Sequence, residues 1–265
     1  MLKGITITVV FVFLLTFILS GFCDANPVAI WTFDEGSGDT IVDSSGHGAD
    51  GKITGKGLWV AGRFGKSLYF DNGAKGVDYV TIEPNKAFDL EDAVTVMCWI
   101  KPEALDGMRF LIKKEAVYEP ILDGGMACFY IGNPSEAWKT PAKGGTALKA
   151  DEWAHIAGTF DGNTIRIYVN GKLDGQSDYA GKIGVAPDKG IMLGANVQNN
   201  IVVRNIPPYI GAMDDAAIFD SALSEGDIKA FMTKGILISL AVRPPGKLTI
   251  TWGDIKYPEN LRKRF

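Results

Sequence analysis

The chain has 265 residues, of which 46% are hydrophobic and 22% charged, with 32 glycines and a net charge of −4. That length suffices for one large β domain or two small ones. Charges of both signs are interspersed and no basic stripe precedes the last residues, which argues against a nucleic-acid partner. Lys3 stands ahead of an apolar stretch over residues 5–19, followed by small residues and Cys23-Asp24-Ala25. This is the pattern of a signal peptide over residues 1–25, with export to the medium or cell envelope and cleavage before Asn26. Residues 4–22 also approach the roughly 20 needed to cross a bilayer, so an uncleaved anchor is the alternative, and it would be the chain's one contact with a membrane. Lipid attachment at Cys23 is disfavoured by the bulk of Phe22.

From Asn26 onward short alternating runs dominate. Residues 28–33 read as a strand, and residues 34–39 and 43–51, rich in glycine and carboxylates, read as tightly turned loops. Residues 64–71 lead into a strand that ends at a turn, and residues 77–82 alternate again. Residues 94–101 alternate cleanly, with Val94, Val96, Cys98 and Ile100 on one face and Thr95, Met97, Trp99 and Lys101 on the other, until Pro102 stops them. Residues 110–113 and 126–131 read as further strands of the same meander.

Residues 153–172 form the centre of the pattern. Two strands, 153–160 and 164–169, end at the turn signals Asp161-Gly162-Asn163 and Asn170-Gly171. Asn-Gly is the strongest two-residue hairpin signal, because a type I′ turn needs positive φ at both central positions. Ala154, Ile156, Gly158 and Phe160 share one face, as do Ile165, Ile167 and Val169. A period of two with one polar face describes antiparallel strands that cover a core on one side. Strands at 172–177, 190–194 and 209–219 complete the set.

One helix is predicted, opened by Ser224 and Asp227 in a capping-box arrangement and stopped by Gly235, with Ile228, Phe231 and Met232 on one face. The chain thus reads as an all-β sandwich over residues 26–235, carrying one short C-terminal-side helix, with residues 236–265 an appended hairpin or tail. Of the two cysteines left after cleavage, Cys98 faces the core and Cys128 runs in phase with Tyr130. In one sheet their sulfurs would point to opposite faces, so both are expected unpaired.

Several segments in this order resemble a LamG-like jellyroll domain of the concanavalin A-like lectin/glucanase superfamily. They are Trp31-x-Phe33-Asp34, Asp43-Ser44-Ser45-Gly46-x-Gly48-x-x-Gly51, Phe64-Gly65 with Phe70-Asp71, and Val94-Thr95-Val96 with Trp99-Ile100-Lys101-Pro102. Trp153-Ala154-His155-Ile156, Ile167-Tyr168-Val169-Asn170-Gly171, Gly211-Ala212-Met213-Asp214-Asp215 and Ala222-Leu223-Ser224 complete them. The resemblance implies a jelly-roll of two packed antiparallel sheets, roughly six or seven strands each, one of them concave. It leaves activity open, because the fold hosts lectins, adhesion modules, glucanases and lyases.

Catalysis finds little support in the residues. The E-x-D-x-x-E strand of laminarinase-like glucanases is missing, no G-x-S-x-G occurs, and two histidines cannot build a His-rich metal centre. The chain is expected not to be an enzyme. The resemblance implies a calcium site where the 43–51 loop approaches the late Asp214 strand, with Asp43, His47 through its carbonyl, Asp50 and Asp214 as ligands. The same residues leave another role open, with Asp43 in an Asx-turn and Asp214 capping backbone amides. For a ligand surface the alternation nominates Trp99, Tyr130, His155, Arg166 and Tyr168, if strands 94–101, 126–131, 153–160 and 164–169 share the concave sheet, with Trp138 on the rim. Aromatic rings stack on sugar faces while Arg and His bond hydroxyls or acidic groups. The expected function is an exported, non-catalytic binding module for carbohydrate or a surface glycoprotein. The alternatives are a structural or adhesive envelope protein without a small ligand and, third, a glycan-active enzyme.

Overall fold

The computed structural model describes residues 26–72, 77–134, 139–198, 201–202 and 206–241. The expected signal peptide, Trp138 and the chain beyond residue 241 lie outside these. The architecture is the expected antiparallel two-sheet sandwich. Among the described residues the first sheet has eight strands and the second nine, more than the six or seven expected of each.

The first sheet runs Lys172–Asp178, Thr164–Val169, Ala154–Phe160, Val94–Pro102, Gly211–Phe219, Lys66–Phe70 and Leu58–Ala61, with Pro27–Trp31 also paired to Gly211–Phe219. The second runs Ala142–Ala147, Met126–Ile131, Tyr118–Asp123, Ile112–Lys114, Ile191–Leu193, Tyr79–Ile82, Gly51–Thr54 and Thr40–Ile41, with Met108–Phe110 paired to Tyr118–Asp123. The hairpin at the centre of the sequence forms as its residues dictate. Asn170 (φ 50°) and Gly171 (φ 73°) both adopt the left-handed conformation that a type I′ turn demands. The Asn170 side chain then accepts from His155 N at 2.9 Å, while Asn170 N donates to His155 O at 2.8 Å.

The core lies between the sheets. Val96, Cys98, Ile100, Ile156, Phe160, Ile165 and Ile167 meet Val80, Ile112, Leu122, Phe129, Ile131 and Ile191 there, each full burial contributing about 1.5–3 kcal/mol. Gly158 occupies a core-facing position where a Cβ would lie 2.3 Å from Cγ of Phe129, so a bare backbone is what lets that ring in. Lys114 is fully buried at one flank and ties three segments together. Its Nζ donates to the carbonyls of Ala186 (3.0 Å) and Lys189 (2.9 Å) and pairs with Asp89 at 3.2 Å.

The predicted helix, α1, spans Glu225–Lys234. Ser224 Oγ accepts from Asp227 N (3.2 Å) and donates to Asp227 Oδ2 (2.6 Å), and Gly235 closes the end with φ 80°. Residues 236–241, expected to open a hairpin or tail, instead form a second helix, α2 (Ile236–Ala241). Together the helices bury the outward face of the first sheet. Leu223, Ile228, Phe231, Ile236, Leu237 and Leu240 pack on Ile30, Met97, Ala157, Tyr168, Ala217 and Phe219. The single polar face expected of the central strands is therefore absent, and Ala154–Phe160 is buried along its whole length. Both cysteines are free, as expected, though they sit in different sheets. Cys98 lies in the core, and Cys128 lies beside Phe110 and Ile121 on the outward face of the second sheet.

Candidate functional site

The nominated aromatic surface does not assemble. Strand Met126–Ile131 belongs to the second sheet, so Tyr130 faces out on the opposite side of the sandwich from Trp99, His155, Arg166 and Tyr168. Trp99 does turn away from the core, yet it is only 6% exposed. His155 stands edge-on to it at 5.3 Å, Phe64 at 6.5 Å, and the Arg63 guanidinium lies 4.8 Å from its ring centroid. His155 is buried too, and burial pulls its imidazole down to about 3, so it is neutral. Tyr168 lies beneath the helices. Arg166 is bound to Asp161, Nη1 to Oδ2, at 2.5 Å. Strand alternation gives direction correctly, but it carries no information about what covers a face.

The calcium ligands do not come together as a set. Asp43 Oδ1 accepts from Ile30 N (3.0 Å) and Ser45 N (2.9 Å), and Oδ2 from Ser45 Oγ (2.8 Å) and Ala49 N (3.1 Å). Four donors fill the roughly four lone-pair sites of a carboxylate. The Ser45 bond is the Asx-turn that the sequence left open. The His47 carbonyl accepts from Asn85 Nδ2 (3.2 Å), and Asp50 Oδ1 accepts from Asp43 N (2.8 Å). Asp214 sits at a bulge in its strand, with Asp215 at φ 44°. Its carboxylate caps Phe64 N (2.8 Å) and Asp215 N (2.9 Å). Burial and the neighbouring Asp215 push the Asp214 carboxyl well above its ordinary range. Among the described residues no group of three His, Cys, Asp or Glu is arranged to hold a metal ion. Asp43, Asp50 and Asp214 each accept from backbone amides instead.

A different site lies on the outward face of the second sheet. In register, Glu119 opposes Tyr130, and Ile121 opposes both Cys128 and Phe110. Directly opposed residues project from the same face. A cavity of about 350 Å³ opens over them, lined by the apolar Met108, Phe110, Ile121 and Tyr130 and by the polar Lys113, Glu115, Glu119 and Asn196. The connection at Ala116 (φ 59°), closed by Val117 N to Lys114 O at 3.0 Å, brings Glu115 and Glu119 around one ammonium. Lys113 Nζ is 3.2 Å from Glu115 Oε2, 3.7 Å from Glu119 Oε1 and 2.5 Å from Asn196 Oδ1, and lies 4.8 Å from the Phe110 centroid. Glu119 is 5% exposed, and burial raises its carboxyl to about 7 although Lys113 opposes the shift. At 3.7 Å the ion pair is too long for a hydrogen bond, so Oε1 of Glu119 has no hydrogen-bond partner among the described residues. Of the sequence candidates only Tyr130 belongs to this cavity. The in-phase charges Lys113 and Glu119 were the available signal, hidden because Ala116 gives no turn signature.

Comparison with known proteins follows the same lines. The model of a laminin G family, described as concanavalin A-like lectin/glucanases superfamily, matches residues 74–229. No curated protein matches by sequence. Among solved structures, domain 4 of an extracellular arabinanase from Geobacillus stearothermophilus, in complex with arabinotriose, superposes with a TM-score of 0.61 at 19% identity. That match covers 79% of this chain and 99% of the arabinanase domain. The binding domain of Paraclostridial Mosquitocidal Protein 1 gives 0.62 at 15% identity, covering 78% of this chain. The binding domain of Botulinum Neurotoxin DC in complex with SialylT gives 0.61 at 12%, covering 80% of this chain. The chain spans about half of each of the two toxin domains, 52%. At these identities the likeness is one of fold. No helix among the described residues is long and apolar enough to cross a membrane.

Proposed function

Since the chain belongs to the concanavalin A-like lectin/glucanases superfamily, we propose that it is an exported, non-catalytic carbohydrate-binding module whose ligand occupies the cavity on the second sheet. The observation that carries this reading is the cavity's composition. Its lining sets the Tyr130 and Phe110 rings beside Lys113, Glu115, Glu119 and Asn196. A sugar ring combines apolar C–H faces with a rim of hydroxyls, and partners for both are present here. A volume of about 350 Å³ falls at the small end of ligand sites, which suits one or two sugar residues rather than a long polymer. Two solved domains of this fold are in complex with arabinotriose and with SialylT, which agrees with a glycan ligand. Export rests on the Lys3-led apolar N-terminus and agrees with the extracellular arabinanase.

A glycan array probed with the whole chain, alongside Tyr130→Ala, tests the proposal. Expected is binding that Tyr130→Ala weakens by about 1–3 kcal/mol, as for a stacking hot spot, with no sugar released on prolonged incubation. Binding unaffected by Tyr130→Ala would remove the cavity from the account, and release of reducing sugar would restore the enzymatic alternative.

A further inference from the structure

Three buried side chains on the second sheet are placed to react with one another. We propose that Lys113 and Asn196 join through an amide cross-link between Nζ and Cγ, formed within the folded chain with Glu119 relaying the protons. This concerns the chain's own covalent structure and does not depend on which ligand the cavity takes.

Lys113 is 3% exposed, and Asn196 and Glu119 are 5% each. Lys113 Nζ lies 2.5 Å from Asn196 Oδ1. A C=O bond of about 1.23 Å then puts the carboxamide carbon within about 3.7 Å of the amine. Reacting atoms are poised at roughly 3–3.5 Å, so little movement separates this arrangement from attack. Glu119 Oε1 stands 3.7 Å from the same nitrogen and has no hydrogen-bond partner among the described residues. Bonds that carry protons in a reaction are often long until the reacting groups close. Glu115 Oε2, at 3.2 Å, orients the nitrogen, and the Phe110 ring centroid lies 4.8 Å from it. Lys114 supplies the contrast. It is buried as deeply, yet its partners are two backbone carbonyls and Asp89, with no side-chain amide among them.

The step needs no oxidant and no co-reactant. Lys113 gives one ammonium proton to the Glu119 carboxylate. Burial, which raises that carboxyl to about 7, favours the protonated acid. The Nζ lone pair then attacks Cγ of Asn196, and the C=O electron pair moves onto Oδ1. Glu119 hands its proton to Nδ2 and takes a second one from Nζ. The carbonyl re-forms, the Cγ–Nδ2 bond breaks, and ammonia leaves. A buried cation has become a neutral amide, so its desolvation cost is gone. The bond ties Ile112–Lys114 to the segment after Ile191–Leu193, 83 residues along the chain. It restricts the unfolded chain as a disulfide would, in a protein whose Cys98 and Cys128 are both free.

Peptide mapping of the purified whole chain, with its intact mass under denaturing conditions, reads the bond directly. Expected are a branched peptide joining Lys113 to Asn196, no tryptic cleavage after Lys113, and a mass lower than the sequence requires by one ammonia. Ring closure at Asn170-Gly171 also releases ammonia, so the mapped position decides rather than the mass. Lys113→Arg, whose guanidinium stays charged, and Glu119→Gln, which cannot relay protons, should each keep the Asn196 amide. Normal cleavage after Lys113 with no branched peptide in the parent would overturn the proposal, whether or not the variants fold. Ammonia loss that persists in Lys113→Arg, or a cross-link that Glu119→Gln forms as completely as the parent, would overturn it too.

Discussion

Asp43 was open to two roles in the sequence, and a substitution with a calculable cost separates them. Its carboxylate accepts from three backbone amides, Ile30, Ser45 and Ala49, and from the Ser45 hydroxyl, and the residue is only 4% exposed. Asp43→Ala leaves those donors without a partner in a buried setting. An unsatisfied buried group costs about 1–3 kcal/mol. Some of the donors will reach water once the loop loosens, so the sum is an upper limit and about 3–5 kcal/mol is expected. That is a large share of the 5–15 kcal/mol by which domains are usually stable. Asp43→Asn retains one acceptor oxygen and loses the other, so about half the penalty is expected. Urea unfolding followed by tryptophan fluorescence, run in calcium and again in chelator, reads both numbers. The three proteins should keep the same spacing in both buffers, since four protein donors already occupy the carboxylate. If Asp43→Ala matched the parent in chelator and differed only in calcium, the hydrogen-bond account would be wrong and a metal ligand restored.

Tyr168 lies under α1 and α2, so Tyr168→Ala should destabilise the domain by about 3–5 kcal/mol, comparable to about 2–5 for Ile167→Ala in the core; a Tyr168→Ala protein as stable as the parent in urea would contradict the packing. Glu119 has its folded carboxyl raised to about 7 from an ordinary 4.5, so its contribution is fully present below about pH 4.5 and is lost as pH rises through about 7. Glu119→Gln should remove that component, and the parent should lose about 3 kcal/mol more than the variant between those limits; parallel stability profiles would show that Glu119 is not buried as described. Gly158→Ala forces a methyl group into Phe129 and should cost more than about 1 kcal/mol, which thermal unfolding would register. Exported protein should lack residues 1–25 by intact mass, and a mass that includes Met1 would contradict cleavage.

What the sequence determined alone is local. Backbone sterics at Asn170-Gly171 specify a hairpin wherever that pair falls, alternation from Val94 to Ile100 specifies which side chains meet the core, and Ser224 with Asp227 specifies where α1 begins. The order of such segments was enough to identify the fold family. It could not tell which strands share a sheet, because hydrogen-bonded neighbours such as Gly211–Phe219 and Val94–Pro102 lie more than a hundred residues apart. Hence Tyr130 was placed with Trp99 although the two look out from opposite sides. Nor does alternation reveal a cover: the outward row Met97, Ala157 and Tyr168 reads the same whether it meets water or a helix, and only the docking of α1 and α2 decides. The cavity at Glu119 was the least legible feature. Its connection turns at Ala116 in a left-handed conformation usually left to glycine or asparagine, so nothing local marks it. The proximity of Lys113, Glu115, Glu119 and Asn196 arises from strand register and the packing of distant loops, which is a property of the assembled sheet rather than of any segment in it.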